Sequence, residues 1–481
     1  MDPDAVVVGA GPNGLVAAIT LARAGCRVLV VEAADRPGGG TRSMELMRPG
    51  VVHDVCSAIH PLGLGSPALR GLPLERHGLR WIQPEVPLAH ALDAGRSVLL
   101  QRSPSRTAEG LGNDGPAYRR LLEPLVRSGF DLTDGLLAPL TFPPRHPVAL
   151  ARYGAVGIGS ADRLARKRFR GEEARGLFAG LAAHSILSLR APATAGYGLM
   201  LAVLGHLVGW PLAEGGSQAI ADALVSLLES LGGRVECGRP ITSLDELPAA
   251  AATLLDLTPR QVLAIAGERL PDRYRRALGR YRYGPGVCKV DWVLEEPIPW
   301  ADPECGRSAT VHLGGTLADI VAAEDDVQRG RHPERPFVLL AQPTLFDPSR
   351  APAGAHVAWA YCHVPNGSTV DVSDRIEAQV ERFAPGFRDV ISERHVMLPA
   401  GMELHNANYV GGDIAGGVAD LRQFVARPTF GLHPWRTPVS GLWLCSSSTP
   451  PGAGVHGMCG YLAAQDVLRR TVGFPRSGTT P

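Results

Sequence analysis

The apolar positions near the start of the chain follow two different patterns, continuous runs and a helical spacing. Ala5–Val8 and residues 27–31 are continuous apolar runs, typical of strands buried on both faces of a parallel sheet. Between them, apolar residues recur at the spacing of one helix face: Leu15, Ala18, Ile19 and Ala22. Gly25 follows as the cap of that helix, and the second run ends at Glu32. The pattern predicts a strand, an amphipathic helix and a second strand.

The same periods recur further along the chain. The pattern predicts a helix over residues 218–231, closed by Gly232 and Gly233, and a strand over 441–445 followed by a helix over 461–470. Further strands are predicted over 253–257, 289–294, 337–342 and 355–361. Further helices are predicted over 116–126, over 171–189 and after Ser373 as its cap. We expect the strand over 289–294 to lie in a sheet that floors a substrate cavity.

Length and charge narrow the classes of function. The 481 residues correspond to about three domains of roughly 150 residues each. Forty-eight basic residues against 47 acidic ones leave a net charge of +1, without the basic excess of a nucleic-acid-binding protein. The densest basic run, residues 163–170, is explained by a solvated helix face. We therefore expect no nucleic-acid partner.

Targeting and cysteine patterns predict the compartment. The N-terminus lacks the positive region of a signal peptide, and the longest apolar segment, residues 198–213, is shorter than a bilayer-spanning helix. Eight cysteines are scattered without a C-x-x-C pair, which favours a reducing cytoplasm. The scarcity of lysine beside abundant arginine reflects genome composition, and we expect a bacterial, cytoplasmic protein.

The glycine turn after the first strand carries the chemistry of dinucleotide binding. Gly9 permits a tight turn, Gly11 lets the backbone approach a pyrophosphate, and Gly14 lets the helix pack closely on the strand. The helix N-terminus directs unpaired N–H groups toward the phosphate. Glu32, 21 residues after Gly11, is placed to accept hydrogen bonds from ribose hydroxyls. FAD and NAD share this pattern.

Two further glycine-rich segments favour FAD. Arg36 and Gly38–Gly39–Gly40 follow Glu32 and resemble the Arg-x-Gly-Gly segment that, at this offset, continues around the pyrophosphate in two-dinucleotide-binding flavoproteins. Near the other end of the chain, Gly452, Gly454 and Gly457 precede the helix predicted over 461–470. Backbone without side chains can lie flat against a ring system there, and the helix N-terminus would favour negative charge on a reduced flavin.

Four segments resemble the phytoene desaturase-like FAD oxidoreductases, which belong to the wider amine oxidase and protoporphyrinogen oxidase superfamily: residues 4–42, 53–61, 210–218 and 450–457. The resemblance implies an α/β fold in which one discontinuous Rossmann-type, two-dinucleotide-binding FAD domain is interleaved with a mixed α+β substrate domain. The predicted FAD domain comprises residues 1–80, 213–288 and 430–475. The predicted substrate domain comprises residues 81–212 and 289–429, and residues 476–481 are predicted to be a frayed tail.

The resemblance also implies the residues that hold FAD. The ADP half would contact the glycine turn and the end of the second strand: Gly9, Gly11, Pro12, Asn13, Gly14, Glu32 and Ala33. The pyrophosphate would contact Arg36, Gly38, Gly39, Gly40, Thr41 and Arg42. The backbone of Val235 would meet adenine. The isoalloxazine would contact Ser447, Gly454, Val455, His456 and Gly457.

The chain departs from the family pattern at two places. Many relatives have Gly-Gly-Arg where this chain has Gly38–Gly39–Gly40, and the nearest arginine here is Arg42. Many also have Gly-Asp where Ser446 and Ser447 stand, and here a serine hydroxyl would have to make the usual contact to the ribityl chain.

Hydride transfer is the chemistry that this pattern favours. In our hypothesis a lipophilic or secondary-metabolite substrate gives hydride to flavin N5 while an adjacent proton leaves, and dioxygen or a quinone reoxidises the flavin. His60 and His456 are candidates for proton handling, and packed structural histidines are the alternative for both. Cys56, Ser57 and Tyr461 are candidate substrate-wall residues. His53, Cys56 and His60 lack a fourth ligand at a metal-site spacing, so we expect no metal.

Two other classes of function stay open at this point. The superfamily includes redox-neutral isomerases, in which reduced FAD acts on a polyene, and escort proteins that keep the fold without binding flavin. The resemblance also allows peripheral contact with a membrane from which a lipophilic substrate enters. Substrate identity and oligomeric state are not readable from the sequence.

Overall fold

The computed structural model describes residues 2–139 and 144–471. Short strands are distributed over the whole of these ranges. In chain order they are β1 (Ala5–Val8), β2 (Val28–Val31), β3 (Ser43–Met44), β4 (His53–Asp54), β5 (Trp81–Ile82), β6 (Leu88–Leu92), β7 (Arg96–Leu100), β8 (Leu212–Ala213), β9 (Arg234–Glu236), β10 (Ala252–Leu255), β11 (Gly286–Leu294), β12 (Thr310–Leu313), β13 (Val338–Ala341), β14 (His356–Val364), β15 (Ile391–Met397) and β16 (Leu442–Leu444).

The helices lie between these strands and concentrate in the middle of the chain. In order they are α1 (Pro12–Arg23), α2 (Pro61–Gly65), α3 (Pro67–Arg70), α4 (Pro104–Gly110), α5 (Gly115–Val126), α6 (Phe130–Leu136), α7 (Pro147–Gly157), α8 (Ala161–Arg168), α9 (Glu172–Ala183), α10 (Thr194–Leu207), α11 (Gln218–Ser230), α12 (Pro259–Ala266), α13 (Asp272–Gly279), α14 (Leu317–Gln328), α15 (Ser373–Phe383), α16 (Pro399–His405), α17 (Leu421–Val425) and α18 (Met458–Arg470). Each helix of the described ranges is too short or too polar to span a bilayer.

A five-stranded parallel sheet collects strands from distant parts of the chain in the order β16-β10-β1-β2-β9. Its strands are buried on both faces, as the continuous apolar runs predict. Ala5 and Val7 pack with α1, α11 and α18, whereas Val6 and Val8 pack with α12 and α13 on the other face. The predicted Rossmann-type arrangement is therefore confirmed.

The second large sheet is mixed and has seven strands, in the order β15-β11-β14-β13-β12-β6-β7. Its long strands β11 and β14 pair in register over nine residues each. Thr310, Ala341 and Trp359 are neighbours in one cross-strand row. Leu339, Tyr361 and Lys289 are neighbours in the next row on the same face of the sheet. Buried side chains of α5, α9, α10 and α14 cover part of this sheet.

The chain passes between the two regions of the molecule, one built on the five-stranded sheet and the other on the seven-stranded sheet, at a small antiparallel strand pair. In this pair Trp81 pairs with Ala213 and Ile82 with Leu212. These positions coincide with the predicted boundaries at residues 80 and 212. The predicted boundary at residue 288, however, falls inside β11, which belongs to the seven-stranded sheet over its whole length. The domain limits stay a prediction, and the predicted tail over 476–481 lies outside the described residues.

Most predicted helices and strands are present, but the local backbone conformation shifts some of their first or last residues. The helix predicted over 171–189 ends at Ala183, because Ile186 adopts a left-handed φ of 55° that a helix cannot contain. The last helix begins at Met458, three residues earlier than predicted. Ser373 is the first residue of α15 rather than its cap, which is Val372.

A buried ion network joins the two regions. Arg350 donates to Asp54 and to Asp347 at 2.8 Å each, and all three side chains are fully or almost fully buried. Asp54 also accepts hydrogen bonds from the Ser43 hydroxyl and from the backbone N–H of Ser217. The arginine therefore ties the β3–β4 pair and the turn before α11 to the loop after β13.

The two ends of the chain meet where α18 packs on α1. A Cβ at Gly460 would lie 1.8 Å from the backbone oxygen of Asn13, and a Cβ at Gly457 would lie 2.5 Å from Cγ2 of Val16. Gly457 also has a left-handed φ of 66°. Only glycine permits this approach, which brings the C-terminal glycine segment beside the N-terminal one.

We expect Gly460→Ala to destabilise the protein by about 3 kcal/mol, because the added methyl group meets backbone that cannot move without displacing α1. Gly154→Ala, in the exposed part of α7 with open space around it, is the matched control and should stabilise by roughly 0.5–1 kcal/mol. Thermal unfolding followed by circular dichroism compares them. Equal unfolding temperatures for the two variants would contradict the packing described here.

Candidate functional site

A cavity of about 870 Å³ begins at the carboxyl ends of β1 and β2 and reaches the face of the seven-stranded sheet. Gly11 and Gly454, which are more than 400 residues apart in sequence, both line it. Ligands of open parallel α/β sheets bind at the carboxyl ends of the strands, so the position is the expected one. We call the part beside β1 and β2 the glycine end and the part against β12, β13 and β14 the sheet end.

The glycine turn is as tight as the sequence predicts. A Cβ at Gly14 would lie 2.1 Å from the backbone oxygen of Gly9, so the helix could not pack against the strand with a larger residue. A Cβ at Gly11 would lie 2.8 Å from Oδ2 of Asp256, and a Cβ at Gly39 would lie 3.1 Å from Cα of Gly11. Gly9, Gly11, Pro12, Asn13 and Gly39 line the cavity as a surface of backbone.

Glu32 closes this end of the cavity. Its carboxylate accepts hydrogen bonds from the backbone N–H groups of Ala10 at 2.7 Å and of Ala34 at 2.9 Å. Each oxygen keeps acceptor capacity, because a carboxylate oxygen has two lone pairs. Ala33 lines the cavity beside it.

Asp256 is a site residue that the sequence reasoning missed. It directly follows β10 and accepts a hydrogen bond at 2.9 Å from the backbone N–H of Gly14, inside the first turn of α1. Burial raises the pKa of Asp256 to about 7, and the nearby charge of Glu32 adds to the rise. The sequence feature that could have identified it is an acidic residue at the carboxyl end of a buried parallel strand, where ligands of such sheets bind.

The two candidate arginines occupy different places. Arg42 lines the cavity, is 8% exposed and donates from Nε to the backbone oxygen of Gly39 at 3.2 Å. Arg36 is exposed, donates to the backbone oxygen of Ser43 and does not line the cavity. Gly40 and Thr41 line the cavity next to Arg42.

Several predicted residues lie behind the cavity wall. Val235 pairs with Val30 in the sheet and does not line the cavity, which is bordered at that side by residues 239–242. The other predicted residues outside the lining are Gly14, Gly38, His456, Gly457 and Tyr461. Gly14 and Gly457 support the wall through the packing described above.

His456 is engaged within its own loop. Its Nδ1 accepts a hydrogen bond from the backbone N–H of Met458 at 3.0 Å, and its Nε2 lies 3.1 Å from the backbone oxygen of Gly452. Both ring nitrogens therefore have partners, and the ring caps the start of α18 rather than lining the cavity. Ser447, Gly454 and Val455 do line it.

His60 is the predicted histidine that does line the cavity. Its Nε2 lies 2.8 Å from the Ser217 hydroxyl, and its Nδ1 has no hydrogen-bond partner among the described residues. Burial lowers the pKa of His60 to about 4, so the ring is neutral near pH 7. Cys56 and Ser57 line the cavity nearby, and the Ser57 hydroxyl donates to the backbone oxygen of Gly40.

The sheet end of the cavity is mostly apolar. Its walls come from the segment after α9, from α10 and the residues that follow it, and from β12, β13 and β14: His184, Ile186, Leu201, Trp210, Thr310, Leu339, Leu340, Ala341, Trp359 and Tyr361. Beside this wall, on the face of the sheet that carries Trp359 and Tyr361, buried Lys289 forms an ion pair with Asp291. Its Nζ lies 5.0 Å from the centre of the Trp359 ring. Sequence reasoning expected a sheet containing the strand over 289–294 at the cavity and apolar surface at Trp210. It did not assign the other wall residues, because sheet pairing between distant segments places them.

The glycine end fits a dinucleotide. Gly11 and Gly39 present backbone without a side chain to the cavity, and the N-terminus of α1 begins there. Oδ1 of Asn13 is buried there without a partner among the described residues. In the same ranges, no three His, Cys, Asp or Glu side chains are grouped as metal ligands would be.

Comparison with known proteins agrees with this geometry. Residues 7–72 match the family model described as an NAD(P)-binding Rossmann-like domain. The chain is 27% identical to mouse pyridine nucleotide-disulfide oxidoreductase domain-containing protein 2, over 97% of this chain and 93% of that protein. It is 26% identical to hydroxyneurosporene desaturase of Cereibacter sphaeroides, over 97% of each chain.

Solved structures share the fold. An oxidoreductase from Methanosarcina mazei matches with a TM-score of 0.66 at 17% identity, covering 97% of this chain and 100% of that one. Wild-type putrescine oxidase bound to putrescine matches with a TM-score of 0.61 at 19% identity, covering 98% of this chain and 100% of that one. The predicted resemblance and fold class are confirmed. The chain is an FAD-dependent oxidoreductase similar to the phytoene desaturases, with FAD as its cofactor.

Proposed function

We propose that this protein removes hydride and a proton from a lipophilic substrate held at the sheet end of the cavity, with FAD bound at the glycine end. The observation that carries the proposal is that one continuous cavity is lined by Gly11, by Gly454 and by the apolar wall of the seven-stranded sheet. FAD, when bound, supplies the hydride acceptor. The protein supplies position, an apolar environment and a proton acceptor.

The residues of the glycine end hold FAD in this proposal. The backbone at Gly11 and Asn13 and the guanidinium of Arg42 hold the pyrophosphate, because they combine unpaired N–H groups, a helix N-terminus and a positive charge. Glu32 accepts hydrogen bonds from the ribose hydroxyls through its remaining lone pairs. The backbone of Gly454 and Val455 lies alongside the ring system.

His60 is the proposed proton acceptor. It lines the cavity as a neutral imidazole whose Nδ1 has no partner among the described residues, and Ser217 fixes the ring through Nε2. His456, with both nitrogens engaged, is the weaker candidate. Leu201, Trp210 and Leu339 bind apolar substrate surface and exclude water from the reacting region.

Relatives support a lipophilic substrate. They include a hydroxyneurosporene desaturase, a phytoene dehydrogenase of Streptomyces griseus and a limonene dehydrogenase component of Castellaniella defragrans. A redox-neutral isomerase remains the alternative and differs in product mass, since oxidation removes two hydrogens. The cytoplasmic location, peripheral membrane contact and dioxygen or a quinone as electron acceptor stay predictions.

The central test is anaerobic screening of lipophilic metabolites for bleaching of the bound flavin. A substrate of the proposed reaction bleaches the flavin and yields a product lighter by two hydrogens. A compound converted at unchanged mass, with the flavin needed in its reduced form, would instead identify an isomerase.

Gly11→Ala should cut FAD affinity at least tenfold, because the added methyl group would lie 2.8 Å from Oδ2 of Asp256 and so displace the turn that the pyrophosphate approaches. Gly306→Ala, at a glycine with nothing within 4 Å of the added Cβ, is the control and should load normally. Flavin absorbance per purified chain measures the result. Full FAD content in the Gly11→Ala variant would contradict the proposed position of the pyrophosphate.

FAD affinity should fall as the pH rises through about 7. Below that pH Asp256 is neutral, whereas above it the carboxylate repels the pyrophosphate at the same helix N-terminus. The dissociation constant of the native protein for FAD should rise about tenfold between pH 6 and pH 8. FAD binds the form in which Asp256 is protonated, and the fraction of that form falls about tenfold for each pH unit above the pKa. Asp256→Asn should bind FAD with little pH dependence in the same titration, and equal slopes for both proteins would exclude this role.

His60→Ala should slow anaerobic flavin reduction by the identified substrate by about a hundredfold or more, with FAD content unchanged. His77→Ala is the control, because that ring bonds to Ser226 at the surface away from the cavity. Stopped-flow absorbance measures both rates. An unaltered rate in the His60 variant removes this residue from the mechanism.

A further inference from the structure

The sheet end of the cavity contains a pair of histidines that the proposed reaction does not use. Nε2 of His184 lies 3.0 Å from Nε2 of His312, and the His184 ring meets the Trp210 ring edge-on at 5.6 Å. His184 lines the cavity, whereas His312 lies fully buried behind it on β12. One nitrogen of the His184 ring is thus fixed, and its Nδ1 has no protein partner among the described residues.

Two further polar atoms on this wall lack partners. The hydroxyl of Thr310 and Nε1 of Trp359 are buried without a hydrogen bond to any described residue, and each residue is 5% exposed. Both line the cavity and lie in the same cross-strand row, on either side of Ala341. Buried polar groups without partners are costly, so their retention on an apolar wall points to a ligand that completes them.

The charge of this wall restricts that ligand. The acidic and basic residues that line the cavity, namely Glu32, Asp256, Arg42 and Arg239, lie at the glycine end. Lys289 and Asp291, which lie beside this wall on the same face of the sheet without lining the cavity, neutralise each other. Burial lowers the pKa of His184 to about 3, so the histidine pair is uncharged. A substrate ammonium or carboxylate at this wall would be buried without a counter-charge.

We propose that His184 and Thr310 bind an uncharged oxygen function, a hydroxyl group, on an otherwise apolar substrate. The inference deepens the proposed function, on which it rests, by naming the polar feature of its substrate. A hydroxyl group fits best because it both donates and accepts: it pairs with the Thr310 hydroxyl and with either tautomer of His184. Buried His312 holds the orientation of the His184 ring through the contact between their Nε2 atoms.

Three probes of one carbon skeleton test the proposal on the FAD-loaded protein: limonene, its primary alcohol perillyl alcohol, and perillate as the charged form. Their dissociation constants are measured by the change in flavin absorbance and in tryptophan fluorescence. Thr310→Val removes the hydroxyl at constant shape, and His184→Leu removes the ring. Thr369→Val and His433→Leu, both at exposed positions, are the matched controls.

The native protein should bind perillyl alcohol more tightly than limonene and should bind perillate most weakly. Each site variant should shift the alcohol-to-hydrocarbon affinity ratio three- to tenfold toward limonene, as expected for loss of one hydrogen bond. The control variants should keep the native ratio. Thr310→Val should also unfold at an equal or higher temperature without ligand, because it removes an unpartnered buried hydroxyl.

Equal ratios in the native protein and Thr310→Val, tightest binding of perillate, or no binding of any probe would each overturn the proposal. FAD content separates this failure from failure of the proposed function. A native protein that takes up no FAD contradicts the proposed function, whereas an FAD-loaded protein without preference for the alcohol contradicts only the hydroxyl site.

Discussion

The close approach of α18 to α1 is the constraint on which the rest of the molecule depends. At Gly460 the last helix lies so near the backbone of Asn13 that no side chain fits between them. This contact brings the segment around Gly454 to the cavity that begins at Gly11. The proposed binding of one FAD by backbone from both segments therefore requires small residues at the contact between these two helices.

The second organising feature is the separation of charge along the cavity. Charged side chains line the glycine end, where FAD is proposed to bind, and the sheet end has an apolar wall with a few uncharged polar atoms. The buried contacts of Arg350 with Asp54 and Asp347 hold these two ends in one relative position. In the proposed function, cofactor chemistry and substrate recognition would therefore take place in different dielectric surroundings within one continuous cavity.

Local patterns predicted the nucleotide half of the molecule well. Ala5–Val8, the glycine turn and Glu32 are adjacent in sequence, so periodicity and spacing carry their geometry. The sheet end could not be predicted in the same way, because Thr310 and Trp359 become neighbours only through strand register. Asp256 was missed for a related reason: its proximity to Gly14 depends on β10 pairing with β1. Val235 was expected at the cavity, but strand pairing turns that segment into the wall behind it.

The most direct test is a crystal structure of the protein grown with FAD. We predict one FAD per chain, its pyrophosphate at the turn containing Gly11, its ribose at Glu32 and its ring system against Gly454 and Val455. Electron density with the ring system away from the C-terminal glycine segment, or with the dinucleotide bound outside this cavity, would contradict the convergence of both chain ends on one cofactor.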